Sequence, residues 1–136
     1  MVAARRADVR ELNARARTLR IAAGEVHGPE LVTRGGAVAV GDEVMTRRND
    51  RRLSVRNGDR GVVTDIDTAA RTACVAFDGE RGGPRSVPLP SQYLDSGFLT
   101  HAYAFTARAA QGMTVQRALV LGDDTVYREW GYVAPS

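Results

Sequence analysis

Apolar positions change their spacing along this chain, and the changes predict its elements. Residues 1–5 open with the apolar run Val2-Ala3-Ala4, long enough for a strand. Val9, Leu12, Ala16 and Leu19 then recur at helical spacing and define one face of a helix. Asp8 and Glu11 stand three apart, the spacing of a capping box, so the helix is predicted to start at Asp8. Gly24 is placed to close it as a left-handed cap. Residues 25–37 read as a connector, broken by Gly28-Pro29 and Gly35-Gly36. From Val38 the period shortens. Val38, Val40, Val44 and Met45 form a first strand, and Asn57-Gly58 is a turn signal. Residues 61–66 form the next strand, Asp67 to Ala70 a turn, and Arg71 to Phe77 alternates cleanly before Asp78-Gly79. Arg85 to Leu89 reads as an edge strand, because Pro88 cannot donate to a ladder. Short strands at this spacing predict a small antiparallel barrel. From Leu99 the apolar runs lengthen. His101 to Phe105 and Ala118 to Leu121 read as buried strands of a parallel α/β sheet. The expected fold is therefore α/β: residues 1–34 and 96–136 form a partial parallel-sheet lobe, interrupted by the β-barrel insertion 38–94.

Composition adds limits. A chain of 136 residues, 43% hydrophobic and 26% charged, buries a real core as one domain or two small lobes. No apolar run approaches the ~20 residues of a membrane span, and the arginines at the amino end have no apolar segment behind them. The expectation is a cytoplasmic protein without a membrane role. Cys74 lies in an alternating strand and reads as a small buried hydrophobe. One cysteine and two widely spaced histidines do not make a zinc site, so no metal is expected. No Ser/His/Asp or Cys/His arrangement suggests a hydrolase, and no catalytic residue is assigned.

The net charge is +3, and every basic residue is arginine. Arginine matches phosphate with a planar fork of donors. Arg10, Arg17 and Arg20 gather beside the apolar stripe of the helix, either as its solvated face or as a phosphate-facing edge, with Arg10 and Arg17 the candidates for DNA backbone. The run Arg47-Arg48-Asn49-Asp50-Arg51-Arg52 falls in a loop between strands. It reads equally as a DNA-backbone contact and as a charged hairpin.

The most telling stretch is Thr100 to Val115, a strand running into a helical turn closed by Gln111-Gly112. Ala102-Tyr103-Ala104, Thr106, Ala110-Gln111-Gly112 and Thr114-Val115 resemble the fifth motif of the RecD-like superfamily 1 DNA helicases, especially the helicase part of MobF-type conjugative relaxases. Arg108 stands where that family has histidine, and Ala109 where it has a basic residue. Arg5-Arg6-Ala7-Asp8-Val9-Arg10-Glu11-Leu12-Asn13 resembles the opening of the second motor domain. Gly41-Asp42, Val44, Asn49-Asp50, Asn57-Gly58 and Gly61-Val62-Val63 resemble the small barrel inserted in it, and Tyr127 to Ala134 the approach to the sixth motif.

The resemblance implies a partial RecA-like lobe, with Thr106, Arg108, Gln111, Gly112 and Thr114 near single-stranded DNA and the ATP cleft. It implies ATP and Mg2+ as cofactors of an intact helicase of 5′-to-3′ polarity, whose N-terminal motor domain on the same polypeptide is the partner of this part. Tyr103 or Phe105 would either stack on a base or, the favoured reading, pack in the core; Trp130, Tyr127 and Tyr132 read as packing. The chain has no lysine and no phosphate loop, and Asp123-Asp124 follows the fifth motif rather than preceding it. The expectation is that the chain alone binds neither ATP nor Mg2+ and hydrolyses none. The sixth-motif arginine would follow Ser136, and Pro135 stands where the family has an apolar residue. Two other readings remain at this point: a stand-alone barrel that binds nucleic acid, and a gene remnant without activity.

Overall fold

The computed structural model describes residues 2–3, 5–78, 84–106 and 120–121. The predicted Gly79, Asp123, Asp124, Tyr127, Trp130, Tyr132 and Pro135 features lie outside them. The chain divides into two compact units, Met1–Thr18 with Tyr103–Ser136, and Leu19–Ala102. The fold is a sheet-rich α/β arrangement.

In the first unit, strand β1 (Val2–Ala3) lies between β9 (Phe105–Thr106) and β10 (Val120–Leu121) in a parallel sheet of order β10-β1-β9. Val2 pairs with Phe105 on one side and Val120 on the other. The beginning and the far end of the sequence thus share one sheet. Ala3 and Phe105 are buried there.

Helix α1 (Arg6–Ala22) starts two residues earlier than its capping-box pattern predicts. Val9 N–H donates to the Arg5 carbonyl at 3.1 Å, so Asp8 sits inside the first turn, where its charge favours the helix dipole. Glu11 pairs instead with Arg15, one turn on, at 2.5 Å. No residue of α1 is fully buried, and Leu19, expected on the apolar stripe, is 71% exposed. The predicted stop holds. Gly24 has φ +77, its N–H reaches the Ile21 carbonyl, and Glu25 N–H reaches the Arg20 carbonyl, both at 3.0 Å. These two bonds satisfy carbonyls that the last turn would otherwise leave open.

The second unit contains a five-stranded antiparallel sheet of order β7-β6-β5-β4-β8: β4 is Glu43–Thr46, β5 Arg60–Asp67, β6 Thr72–Phe77, β7 Arg85–Leu89 and β8 Leu99–His101. A hairpin of β2 (His27–Thr33) and β3 (Gly36–Val40) accompanies it. The predicted connector is therefore mostly strand. Its ladder shifts register between His27 and Leu31, an irregularity that takes up Gly28-Pro29. The predicted strand through Val38 and Met45 is two strands, because Gly41 has φ +97 and the buried Asp42 carboxylate accepts the Ala39 N–H at 2.8 Å.

Ala73, Val75 and Phe77 of β6 point inward and meet Val63, Val87, Leu89, Leu94 and Leu99 in one core. Burying each large apolar side chain contributes roughly 1.5–3 kcal/mol. The same alternation puts Cys74 on the other face, half-buried with Sγ 3.6 Å from Ser86 Oγ, so it is not the core residue predicted. β7 lies at a sheet edge, as Pro88 requires. Helix α2 (Ser91–Asp95) follows it and seats Tyr93 and Leu94. Among the described residues no helix is long and apolar enough to cross a membrane.

Candidate nucleic-acid interface

The predicted strand His101 to Phe105 breaks in two, and the break is where the candidate motif is positioned. His101 ends β8, and its ring Nε2 donates to the Ala37 carbonyl at 2.6 Å. Ala102 N–H donates to the Glu43 carbonyl at 2.8 Å within the second unit. In the first unit, Asn13 of α1 takes over. Its Oδ1 accepts the N–H groups of Tyr103 at 2.8 Å and Ala104 at 2.9 Å, and its Nδ2 donates to the Ala104 carbonyl at 3.3 Å. One side chain thus stands in for a neighbouring strand at the entry to β9, which ends at Thr106.

Asn13 is absent from the candidates read from sequence. The only local signal is a poor helix former in mid-helix, where a packing or bonding role offsets its low propensity. Tyr103 and Phe105 are buried, as the packing reading favours. Arg108, Gln111, Gly112 and Thr114 lie outside the described residues.

The second candidate surface is the loop between β4 and β5, residues 47–59. It is closed at its base by Thr46, a fully buried residue whose hydroxyl donates to the Arg56 carbonyl at 2.5 Å and accepts the Asp59 N–H at 3.1 Å. Midway, Asp50 and Val55 exchange backbone hydrogen bonds of 2.9 and 3.0 Å, with Val55 buried as the anchor. The Asp50 carboxylate accepts the N–H groups of Arg52 and Leu53, and the Asn49 side chain accepts the Asn57 N–H. Satisfied amides and a buried anchor make the loop a shaped surface.

The arginine run does not act as one patch. The Arg48 guanidinium lies over the Phe98 ring, 5.0 Å from its centre, and Phe98 meets Tyr93 edge-on at 5.4 Å. The Tyr93 hydroxyl donates to the Arg48 carbonyl at 2.8 Å. Burial pushes the Tyr93 phenol above its usual range. Arg47 and Arg52 are exposed. Arg51 lines a groove of about 590 Å³ with Asn49, Asp50, Ser54, Val55, Arg56, Asp59 and Arg85. In the first unit, Arg10 is exposed on α1 and Arg17 is partly buried.

No lysine exists to meet a phosphate chain, and among the described residues no three or more His, Cys, Asp or Glu converge on a point. Asp50 and Asp59 are engaged by loop amides.

This sheet-rich α/β fold is similar to part of the Pif1 helicase structures. The Pif1 helicase from Bacteroides in complex with ADP-AlF3 and ssDNA superposes with a TM-score of 0.62 at 19% identity, over 90% of this chain and 34% of that one. Pif1 helicase from Candida albicans gives 0.52 at 16% identity, over 88% of this chain and 38% of that one. No protein-family model matches the chain. In sequence, the chain is homologous to the conjugal transfer protein TraA. It is 36% identical over 132 residues to the probable TraA of Sinorhizobium fredii (strain NBRC 101917 / NGR234), and 34% identical over 132 residues to TraA of Agrobacterium fabrum (strain C58 / ATCC 33970). Each match takes in 95% of this chain and 12% of the relative, so the chain spans about an eighth of their length.

Proposed function

We propose that this chain is part of the C-terminal motor domain of a RecD-like DNA helicase of the conjugative relaxase type. In this reading residues 38–94 are the small barrel inserted in that domain. The chain contributes a stretch of the single-stranded DNA track and one side of the ATP cleft, and an N-terminal motor domain supplies the phosphate loop and magnesium ligands. ATP binding and hydrolysis close and open the two domains on the strand, with 5′-to-3′ polarity. Thr106, Arg108, Gln111, Gly112 and Thr114 carry the coupling between nucleotide and DNA.

The observation that carries this reading is the sheet in which β1 lies between β9 and β10. It supports a motor-domain sheet interrupted by an insertion, and the 36% identity to a TraA protein supports the relaxase-helicase type. Asn13 adds a mechanical reason for the fifth-motif segment to hold its place, since it fixes the backbone two residues before Thr106. A second reading, a stand-alone nucleic-acid-binding module, draws on the separate hydrophobic core within residues 19–102.

The purified chain is expected to show no ATP hydrolysis above background, with or without single-stranded DNA, because transition-state charge on phosphate needs a lysine and metal ion the chain does not supply. A phosphate-release assay checks this. DNA-stimulated turnover would overturn the division of labour proposed here.

A further inference from the structure

We propose that the groove between the 47–59 loop and Arg85 is a seat for one or two phosphodiester groups of a single strand, gripped by Arg51 and Arg56. The proposal rests on the DNA-binding reading above and names the residues that would carry it in the second unit.

The argument follows the charges around the groove. Its lining holds three arginines and two aspartates. Both aspartates are already committed. Asp50 Oδ1 accepts the Arg52 and Leu53 amides at 2.9 and 3.2 Å. Asp59 Oδ2 accepts the Arg56 amide at 2.9 Å and the Arg85 guanidinium at 2.7 Å. Arg85 is in turn fixed at the groove floor. It donates to the Ser54 carbonyl at 2.9 Å and lies over the Phe77 ring, 5.1 Å from its centre, while its buried Nε has no hydrogen-bond partner among the described residues. Asp59 is paired with Arg85 and Asp50 is engaged by loop amides, so the lining keeps an excess of positive charge, and Arg51 and Arg56 have no side-chain partner among the described residues.

The loop that carries them is held by Thr46, Val55 and the Asp50–Val55 bridge, so little ordering is lost when an anion arrives. An arginine pair on a preshaped rim suits the spread oxygens of phosphate, which accept parallel N–H bonds. Arg48 takes no part, since Phe98 and Tyr93 hold it. Arg47 and Arg52 belong to the same run but do not line the groove. Sequence proximity therefore groups the wrong arginines: Arg56 belongs with Arg51, and Arg47 and Arg52 do not.

The test is equilibrium binding of the full chain to a fluorescent 20-nucleotide oligothymidine across a salt series. Three proteins are compared: the native chain, Arg51→Ala/Arg56→Ala, and the equally discharged Arg47→Ala/Arg52→Ala. All four positions are exposed, and circular dichroism checks that each protein is folded. The groove variant is expected to bind at least about five-fold more weakly at low salt, with a log–log salt slope shallower by about 1.4, or 0.7 per lost contact on a single strand. The control pair is expected to keep most of the native slope. Equal losses in the two variants, or a larger loss in the control, would overturn the assignment of the groove while leaving DNA binding intact. A native chain that does not bind the oligonucleotide would sink the underlying reading, and this inference with it.

Discussion

Replacing Gly41 with alanine is expected to unfold most of the second unit at room temperature. Gly41 turns the chain from β3 into β4 at φ +97, a conformation that a residue with a Cβ adopts only under strain. Space is the larger difficulty. A Cβ at Gly41 would sit 1.9 Å from the Glu25 carbonyl oxygen, 3.0 Å from its carbon and 3.3 Å from Val26 Cα. All three atoms are backbone, so no side chain can swing aside. Glu25 itself is fixed by the bond that closes α1, from its N–H to the Arg20 carbonyl. Relief therefore means pulling the helix end from the β3–β4 turn, where Gly41 N–H also donates to the Val63 carbonyl at 2.8 Å. The combined cost is expected to exceed about 4 kcal/mol, a large share of the roughly 5–15 kcal/mol that stabilises a domain. Gly24→Ala is the control. Its φ is also positive, at +77, but nothing lies within 4 Å of the new Cβ, so only about 1–2 kcal/mol of backbone strain is expected. Urea titrations followed by circular dichroism compare the two. Similar midpoints for both variants would show that crowding at Gly41 is not what the contacts imply.

Asn13→Ala is expected to cost the first unit about 2 kcal/mol. The substitution removes the acceptor for two backbone amides, Tyr103 and Ala104, in a part-buried setting. Each amide left unsatisfied costs about 1–3 kcal/mol. Better helix propensity of alanine returns roughly 0.7 kcal/mol, and water reaching the half-open site returns more. Asn13→Asp keeps the acceptor but replaces the donor to the Ala104 carbonyl with an oxygen that repels it, so about half of the loss should be recovered. Amide hydrogen exchange at Tyr103 and Ala104 reads the effect directly. Protection is expected to fall in the alanine variant and to return in large part with aspartate. Unchanged protection in Asn13→Ala would remove the clamp from the account.

Much of the strand pattern was legible because burial writes a period into the sequence. Thr72 to Phe77 alternates, and Ala73, Val75 and Phe77 are the buried positions. Gly24 announced the helix end because only glycine takes that conformation without strain. Other features depended on pairing that no local window contains. The β2–β3 hairpin was hidden by Gly28-Pro29, which a register shift absorbs. His101 to Phe105 read as one buried strand, yet its two ends serve different sheets.

The site was legible in a different proportion. The resemblance pointed to Thr106 and the residues after it, but not to Asn13 as the residue that fixes the approach. Arg85 reaches the groove only because it lies opposite Phe77, which lies opposite Gly61, two residues past Asp59. A charge run counted along the sequence groups Arg47 with Arg51. The folded loop groups Arg51 with Arg56 and Arg85 instead.

Whether the chain clasps a single strand at all is measured most directly by titrating the native protein against an unstructured oligonucleotide at several salt concentrations. Dissociation constants of roughly 10⁻⁴ to 10⁻⁶ M, rising steadily with salt, are expected for a partial track that grips phosphates without reading bases. No detectable affinity at low salt, or tight binding to one sequence that salt leaves unchanged, would contradict the account.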